Sequence, residues 1–480
     1  MLATCVTRAT TTRAIHMRAT GWDFPQLSQW TRAGCGQTGA KTSKPVHFKS
    51  GVDTKTPQQA ARTKDDESFG QLAALKVPAL HIRLLSSILM QASNAHRRSL
   101  ILPLEISEAQ APLAALQNTT EVELVVPGNY GELVLSPELC GEVFAIQRLL
   151  TISRLDIPIT VRWEPAISRR LTEIVRLQPL LAVVLMLEGV RHTLAGLEES
   201  QAEQVLTAAR HGVLKHRLIK DLFSPSQLLL CADSRGHGRP DQLYLSGSGS
   251  LRPRSHFETL VQEVLATELK ATGDTAKQFK WAGSLGVIVA ELFENTDMHA
   301  MTDLSGARYS INAMRGLMFK RIQMTVQLRG ADHKLKDVQK DCLEISVFDT
   351  GLGYVRSFTR AEEQNDIDFE WRVLHKCLER HFDENIPDPR PAHRALGLAE
   401  VLRALQTLAG RIEIRTGRTF GYRTFMEGQL QAQMQPPGSE WSRFNWPKPK
   451  LLDATKKVVA VPTAHENIVG SAIRVIVPLN

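Results

Sequence analysis

The sequence has few cysteines, and their spacing suits neither a metal site nor a redox motif. Six occur in 480 residues, and no two of them form a Cys-x-x-Cys pair. They are Cys5, Cys35, Cys140, Cys231, Cys342 and Cys377. Scattered cysteines argue against a disulfide framework or a zinc ribbon and are typical of a reducing compartment. We therefore expect a cytoplasmic protein with unpaired thiols.

Long apolar stretches and a phosphate-binding loop are also missing. The longest apolar run extends from Pro179 to Leu187, which is too short to cross a bilayer. The Gly-Lys-Ser/Thr ending of a P-loop occurs nowhere in the chain. The sequence therefore predicts neither a membrane-spanning helix nor a P-loop nucleotide site.

The net charge of +8 is concentrated in one part of the chain. Residues 1–60 hold eight Lys and Arg against two Asp, which is +6 and leaves +2 for the remainder. A nucleic-acid-binding surface needs basic side chains clustered on the folded part of a protein. The charge distribution therefore gives no support for a nucleic-acid partner.

Composition and periodicity divide the chain into four segments. Residues 1–66 are rich in Thr, Arg, Gly and Gln and lack apolar periodicity, as in a disordered leader. Residues 67–165 predict a small α/β domain, and residues 166–250 are mostly helical in pattern. The Gly-Ser run at 246–250 is either a linker or a surface turn. Residues 251–480 form the fourth segment.

The fourth segment contains a helix pattern with a polar row along one edge. Apolar residues recur at helical spacing from Ser284 to Ala300, and Glu291, Asn295 and His299 follow at intervals of four. A carboxylate and a carboxamide one turn apart can bind a hard cation or orient a water molecule. The row by itself has a second interpretation, which is a solvated helix edge.

Glycine-containing motifs follow at the ends of strand and helix patterns. The β-branched segment Leu343–Phe348 runs directly into Asp349-Thr-Gly-Leu-Gly353, which places a carboxylate at a strand end before two glycines. A helix pattern begins near Gly397 and Leu398, where free backbone N–H groups suit phosphate oxygens. The chain ends in an apolar strand pattern that begins with Gly470-Ser.

The order of these motifs resembles that of the GHKL ATPase domain, the superfamily of DNA gyrase, the large heat-shock chaperones, histidine kinases and the MutL repair proteins. The resemblance covers residues 255–480. It rests on Glu-x-x-x-Asn-x-x-x-His, then Asp-x-Gly-x-Gly, then Gly-Leu and the terminal Gly-Ser strand. It implies a C-terminal α/β sandwich of the Bergerat type that binds ATP and Mg²⁺, preceded by an N-terminal mixed α/β and helical module.

The resemblance also implies a role for each residue of the motifs. Asn295 would hold the magnesium ion, and Glu291 would activate the attacking water. Asp349 would accept a hydrogen bond from the adenine amino group, while Gly351 and Gly353 would shape the pocket. Other nucleotide contacts, below a lid within residues 354–395, would come from His299, Gly397 and Leu398. For His299, a simple partner at the helix end is an equal alternative.

Three functions remain open at the level of sequence. The first is an ATP-dependent conformational switch whose N-terminal module contacts a protein partner, as a monomer or a homodimer. The second is a signalling protein kinase of the histidine or serine type, although neither His192 nor His256 is followed by the acid usual at a phospho-acceptor histidine. The third is a non-catalytic nucleotide-responsive module, because Ala395 stands where the fuller family pattern has a glycine.

Overall fold

The computed structural model describes most of the chain from Arg97 onward, and all of the described residues belong to one compact unit, residues 77–480. The described ranges are 97–108, 111–132, 141–215, 226–235, 239–246, 248–266, 275–329, 335–360, 366–378, 397–426, 451–456 and 462–479. The leader predicted for residues 1–66 lies outside them.

Helices and strands are mixed along the whole described part of the chain. The helices are α1 (Leu113–Leu116), α2 (Glu142–Ile152), α3 (Pro165–Ser168), α4 (Leu171–Leu177), α5 (Pro179–Met186), α6 (Glu199–Leu214), α7 (Arg254–Val264), α8 (Thr275–His299), α9 (Gly353–Thr359), α10 (Ile367–Cys377) and α11 (Gly397–Thr407). The strands are β1 (Arg97–Ile101), β2 (Glu121–Val126), β3 (Ile159–Trp163), β4 (Arg191–Leu194), β5 (Gln227–Ala232), β6 (Met314–Arg329), β7 (Leu335–Asp349), β8 (Arg411–Gly417), β9 (Thr419–Thr424), β10 (Leu452–Asp453) and β11 (Ile468–Pro478).

The strands form two sheets of different type. The N-terminal sheet has four parallel strands in the order β1-β2-β3-β4, and helices connect them because parallel neighbours need a crossover. The second sheet has seven antiparallel strands in the order β10-β9-β8-β11-β7-β6-β5. The predicted α/β class is confirmed.

The helix and the strand that carry the sequence motifs are present, and both begin earlier in the chain than the patterns predict. The helix expected from Ser284 begins nine residues earlier, at Thr275. The strand expected from Leu343 begins at Leu335, because it pairs with β6 in a long hairpin. Only residues 342–349 of β7 also pair with β11. Within the described part of the chain, residues 335–340 have no strand neighbour on that side, so an apolar pattern is not required there.

The seven-stranded sheet is covered by helices on both faces. On one face α7, α8 and α11 pack on the sheet, and Ile288 and Leu292 of α8 share a core cluster with Ile345 and Val347 of β7. On the other face α2 contacts β11 and β7, and Phe348 joins the core of the parallel sheet. Because successive side chains of a strand point to opposite faces, β7 contributes to both cores.

The division predicted after residue 250 is crossed by hydrogen bonds. β5 pairs with β6, which follows that boundary in sequence. The Gly-Ser run itself closes a turn, since the Leu245 N–H donates to the Ser250 carbonyl at 2.8 Å. The domain limits stay a prediction, and the described structure joins the two sides through one sheet. Among the described residues, no helix combines the length and the apolar character needed to cross a membrane.

A contact between the Glu108 carboxylate and His465 links the N-terminal region to the segment before β11 and predicts acid sensitivity. Glu108 lies 3.4 Å from His465 and accepts from the Glu466 N–H at 2.6 Å. The His465 contact holds the pKa of Glu108 at about 2, below its ordinary 4.5. Its stabilising contribution is therefore complete above pH 4.5 and disappears as the pH falls through about 2.

We expect Glu108→Gln to lower the urea midpoint of unfolding at pH 6 and to have a smaller effect at pH 3. At the lower pH the wild-type carboxylate has lost part of its advantage over the neutral amide. Urea titrations of both proteins at the two pH values measure this difference. An equal loss at pH 6 and pH 3 would contradict the assigned role of the charge.

Candidate functional site

A small cavity lies between α8, α9 and the adjoining ends of β7 and β11. Its volume is about 40 Å³. The cavity is lined by Leu292, Asn295, Thr296, His299, Asp349, Gly353, Tyr354, Ser357, Ser471 and Ile473. Four residues predicted from the motifs, which lie on three different elements, therefore meet at one cavity: Asn295, His299, Asp349 and Gly353.

Helix α8 brings two members of its polar row to the cavity and turns the third away. Asn295 is half-buried and His299 is exposed at the end of the helix. Glu291 is only 4% exposed and forms an ion pair with Arg254 of α7, outside the cavity lining. Residues four apart on a helix differ by about 40° in direction and about 6 Å along the axis, so Glu291 lies about 12 Å along the helix from His299.

Asp349 ends β7 with its carboxyl group held in place. One oxygen accepts from the Gly351 N–H at 2.8 Å, and the other accepts from the Ser471 hydroxyl. The residue is 5% exposed. Burial raises the pKa of Asp349 above its ordinary value, while the Ser471 and Gly351 hydrogen bonds act in the opposite direction. The carboxyl group is thus pre-oriented beside the cavity.

The two glycines after Asp349 are required by close packing. A side chain at Gly351 would place its Cβ 2.4 Å from the Cα of Ala300, directly after α8. Gly353 has φ = 72°, and a Cβ there would lie 2.7 Å from the Oγ1 atom of Thr416. That hydroxyl accepts from the Tyr354 N–H at 3.1 Å. The Asp-x-Gly-x-Gly turn is therefore packed tightly against α8 and β8.

Other predicted residues lie away from this cavity. Gly351 lines a neighbouring cavity on the other side of α9. Gly397 begins α11, and Leu398 is buried in the core beneath the sheet, so neither lines the cavity at Asp349. The predicted lid is represented by α9 and α10, whereas residues 361–365 and 379–396, including Ala395, lie outside the described residues.

Contacts from the N-terminal half reach the backbone of the site. Gln147 of α2 donates to the carbonyl oxygen of Asp349 at 2.9 Å and also to the carbonyl of Val469. The Thr151 hydroxyl of the same helix accepts from the Val469 N–H at 3.2 Å. These residues were not among those predicted from the motifs. Their only signal was that Gln147 and Thr151 lie four apart, on one face of a largely apolar helix.

The histidines considered as phospho-acceptors have structural partners. His192 lies on β4, and its Nδ1 atom is 3.2 Å from the Nε1 atom of Trp163. The Nε2 atom of His256 lies 2.8 Å from the carbonyl oxygen of Gln242. Neither histidine lines the cavity at Asp349.

The cavity has suitable polar groups but little space. Pockets for small organic ligands commonly enclose about 300 Å³ or more, so a nucleotide needs a larger opening than the present 40 Å³. The described residues contain no group of three or more His, Cys, Asp or Glu that could hold a metal ion. A magnesium ion bound through the single carboxamide of Asn295, with phosphate and water oxygens, fits this composition.

Comparisons with known proteins give no further guide to this site. No family model, no curated protein and no solved structure matches the chain.

Proposed function

We propose that the cavity at Asp349 binds Mg-ATP in the manner of GHKL domains, and that the chain acts as an ATP-dependent conformational switch. The proposal is carried by one observation, which is that Asn295 and Asp349 line the same cavity. The layer order supports it, because α7, α8 and α11 cover one face of an antiparallel sheet. The resemblance implies an α/β sandwich, in which a helical layer covers a sheet.

The proposal assigns different chemistry to the two elements that line the cavity. The buried carboxyl group of Asp349 accepts a hydrogen bond from the adenine amino group. The carboxamide oxygen of Asn295 binds magnesium, whose remaining ligands are phosphate and water oxygens. His299 lines the cavity at the exposed end of α8 and would contact the phosphates.

In this proposal nucleotide binding moves α9. The helix contributes Gly353, Tyr354 and Ser357 to the cavity lining, yet none of its residues is buried. Phe358 is 48% exposed. Six of its seven residues are half-buried and none is fully buried, so the helix can separate from its neighbours at a lower free-energy cost than a core helix. Its displacement gives the adenine and ribose the space that the cavity lacks.

The same arrangement supports communication with the N-terminal half. Gln147 donates to the backbone carbonyl of Asp349, the residue whose side chain makes the proposed adenine contact. A shift of the Asp349 turn on nucleotide binding would alter the packing of α2, which also belongs to the core of the parallel sheet. If the contact between Gln147 and Asp349 has one arrangement with nucleotide and another without it, the chain can act as a switch. The N-terminal side of that switch would engage a protein partner.

Hydrolysis requires an additional change at Glu291. Its carboxylate is engaged by Arg254 and lies outside the cavity lining. A general base must come within hydrogen-bonding reach of the water that it activates. In our proposal the ion pair therefore opens in the nucleotide-bound state and releases Glu291 toward the γ-phosphate.

The test follows the γ-phosphate in the purified full chain. The protein is incubated with magnesium and ATP labelled at the γ-phosphate, and free phosphate is separated from label on the protein. We expect slow release of free phosphate, because the Glu291 carboxylate must first leave its partner. The magnesium-free reaction with EDTA is the control.

Any other result of this experiment would replace or contradict the ATP-dependent switch. Label retained on the protein would replace the switch by the kinase alternative. Retention of ATP on a filter without release or transfer would indicate a non-catalytic nucleotide-responsive module. Absence of ATP binding in the presence of magnesium would contradict the proposed function.

A further inference from the structure

A second cavity lies on the opposite side of α9. Its volume is about 190 Å³. Val355 and Arg356 of α9 line it, whereas Tyr354 and Ser357 of the same helix line the cavity at Asp349. The wall toward the N-terminal half is formed by Arg154, which follows α2. One short helix therefore separates two cavities.

Two arginine side chains line this second cavity without a carboxylate partner among the described residues. Arg154 lies 4.3 Å from the ring centre of Tyr309 and donates to the carbonyl of Asn312 at 3.5 Å. Burial lowers the pKa of Arg154 below its ordinary value. The Nε atom of Arg356 is buried and has no hydrogen-bond partner among the described groups. Such groups are costly to bury unless they are paired.

The two carboxylates at the cavity are already engaged by other groups. Glu370 accepts from the Arg418 guanidinium at 2.7 and 2.9 Å. Asp303 accepts from the backbone N–H groups of Ser305 and Ala307, both at 2.9 Å. Among the described residues, neither acid forms an ion pair with the two cavity arginines, so an excess of positive charge remains on the wall formed by Arg154 and Arg356.

We propose that this second cavity is a binding site for a small phosphate-type oxyanion, either inorganic phosphate or a small phosphate monoester, held by Arg154 and Arg356. Guanidinium groups bind phosphate oxygens through charge-assisted hydrogen bonds, and two of them match the charge of a phosphate dianion. The volume of about 190 Å³ exceeds the roughly 30 Å³ that one water occupies in the liquid, which leaves room for such an anion.

The site would also regulate the first cavity. An anion bound to Arg356 would hold α9 in its present position, in which Tyr354 and Ser357 close the cavity at Asp349. We therefore expect phosphate to weaken Mg-ATP binding. This coupling rests on the proposed function, whereas the anion site itself does not.

The test measures phosphate binding to the full chain in the absence of nucleotide. Sodium phosphate and glycerol 3-phosphate are titrated separately by calorimetry, with chloride replacing them at constant ionic strength. We expect saturable binding that Arg356→Gln weakens about ten- to a hundred-fold, because a charge-assisted pair is lost. Arg154→Gln, a substitution in a different part of the chain, should weaken phosphate binding to a similar extent. Arg360→Gln is the matched control, since Arg360 is exposed and ends the same helix.

The outcomes distinguish the two proposals. Tighter binding of glycerol 3-phosphate than of phosphate identifies an organic monoester as the ligand class, and equal binding identifies phosphate itself. No binding of either anion, or equal binding by the Arg356→Gln, Arg154→Gln and Arg360→Gln variants, overturns the anion site. A protein that binds phosphate but not Mg-ATP retains the anion site and loses the proposed nucleotide function.

Discussion

Replacing Asp349 by Asn is expected to weaken Mg-ATP binding by about a hundred-fold or more. The carboxyl group is buried and held by Gly351 and Ser471, so its oxygens have a defined direction at the cavity. An amide in its place can present an N–H group to the adenine amino group, which is itself a donor. The variant loses a hydrogen bond to a charged acceptor, and the adenine amino group and the new amide N–H are both left without an acceptor. Together these two effects account for a loss of affinity of about a hundred-fold.

Asp341→Asn is the matched control for this prediction. Asp341 lies on the same strand, outside the cavity, and pairs with Arg321 at 2.6 Å. Equilibrium titration with a fluorescent ATP analogue and magnesium compares both variants with the wild type. GTP serves as a second ligand, because guanine carries a carbonyl where adenine carries the amino group. Wild-type affinity in Asp349→Asn, or equal affinity for ATP and GTP, would contradict the proposed adenine contact.

Arg315→Met is expected to lower the free energy of unfolding by about 3 kcal/mol or more. Arg315 is 1% exposed and bonds to Asp233 at 2.7 and 3.0 Å and to Asp297 of α8 at 3.0 Å. Its removal leaves two largely buried carboxylates facing an apolar side chain. Breaking a buried ion pair from one side typically costs about 3 to 5 kcal/mol. Two remaining contacts offset part of this loss: the Arg239 Nε atom lies 3.4 Å from Asp233, and the Tyr244 hydroxyl donates to Asp297 at 2.7 Å.

Arg321→Met tests whether this effect depends on burial. Arg321 lies on β6, as Arg315 does, and pairs with Asp341. The Arg321 side chain is 38% exposed and the Asp341 side chain is 25% exposed. Such a pair contributes roughly 1 kcal/mol or less. Guanidinium chloride unfolding followed by circular dichroism gives both midpoints. Similar shifts for the two variants would mean that the Arg315 network contributes no more than a surface pair.

The sequence predicts where a motif residue lies within a helix or strand when that position depends on local order alone. The spacing of Asn295 and His299 makes them neighbours on one helix edge, and the position of Asp349 after an apolar run puts it at a strand end. Both statements need only the helical and strand periods. Glu291 belongs to the same row, yet its direction depends on Arg254 of another helix, which no local pattern can predict.

Long-range contacts decide the remaining features of the site. Gln147 reaches the backbone of Asp349 only because α2 packs on the face of the antiparallel sheet opposite α8. The pairing of β5 with β6 likewise joins segments on the two sides of the predicted boundary. Neither residue spacing nor composition contains this information, since both depend on which surfaces become adjacent when the chain folds.

The sequence by itself determined the α/β class, the elements that carry the motifs and the chemistry available at their ends. These follow from hydrophobic periodicity and from the conformational demands of glycine, which act over a few residues. Only the tertiary structure decided that Asn295 and Asp349 share a cavity, how small that cavity is, and that Arg154 and Arg356 line a second one. Cavities and ion pairs arise where distant segments pack together, so their geometry exists only in the folded chain.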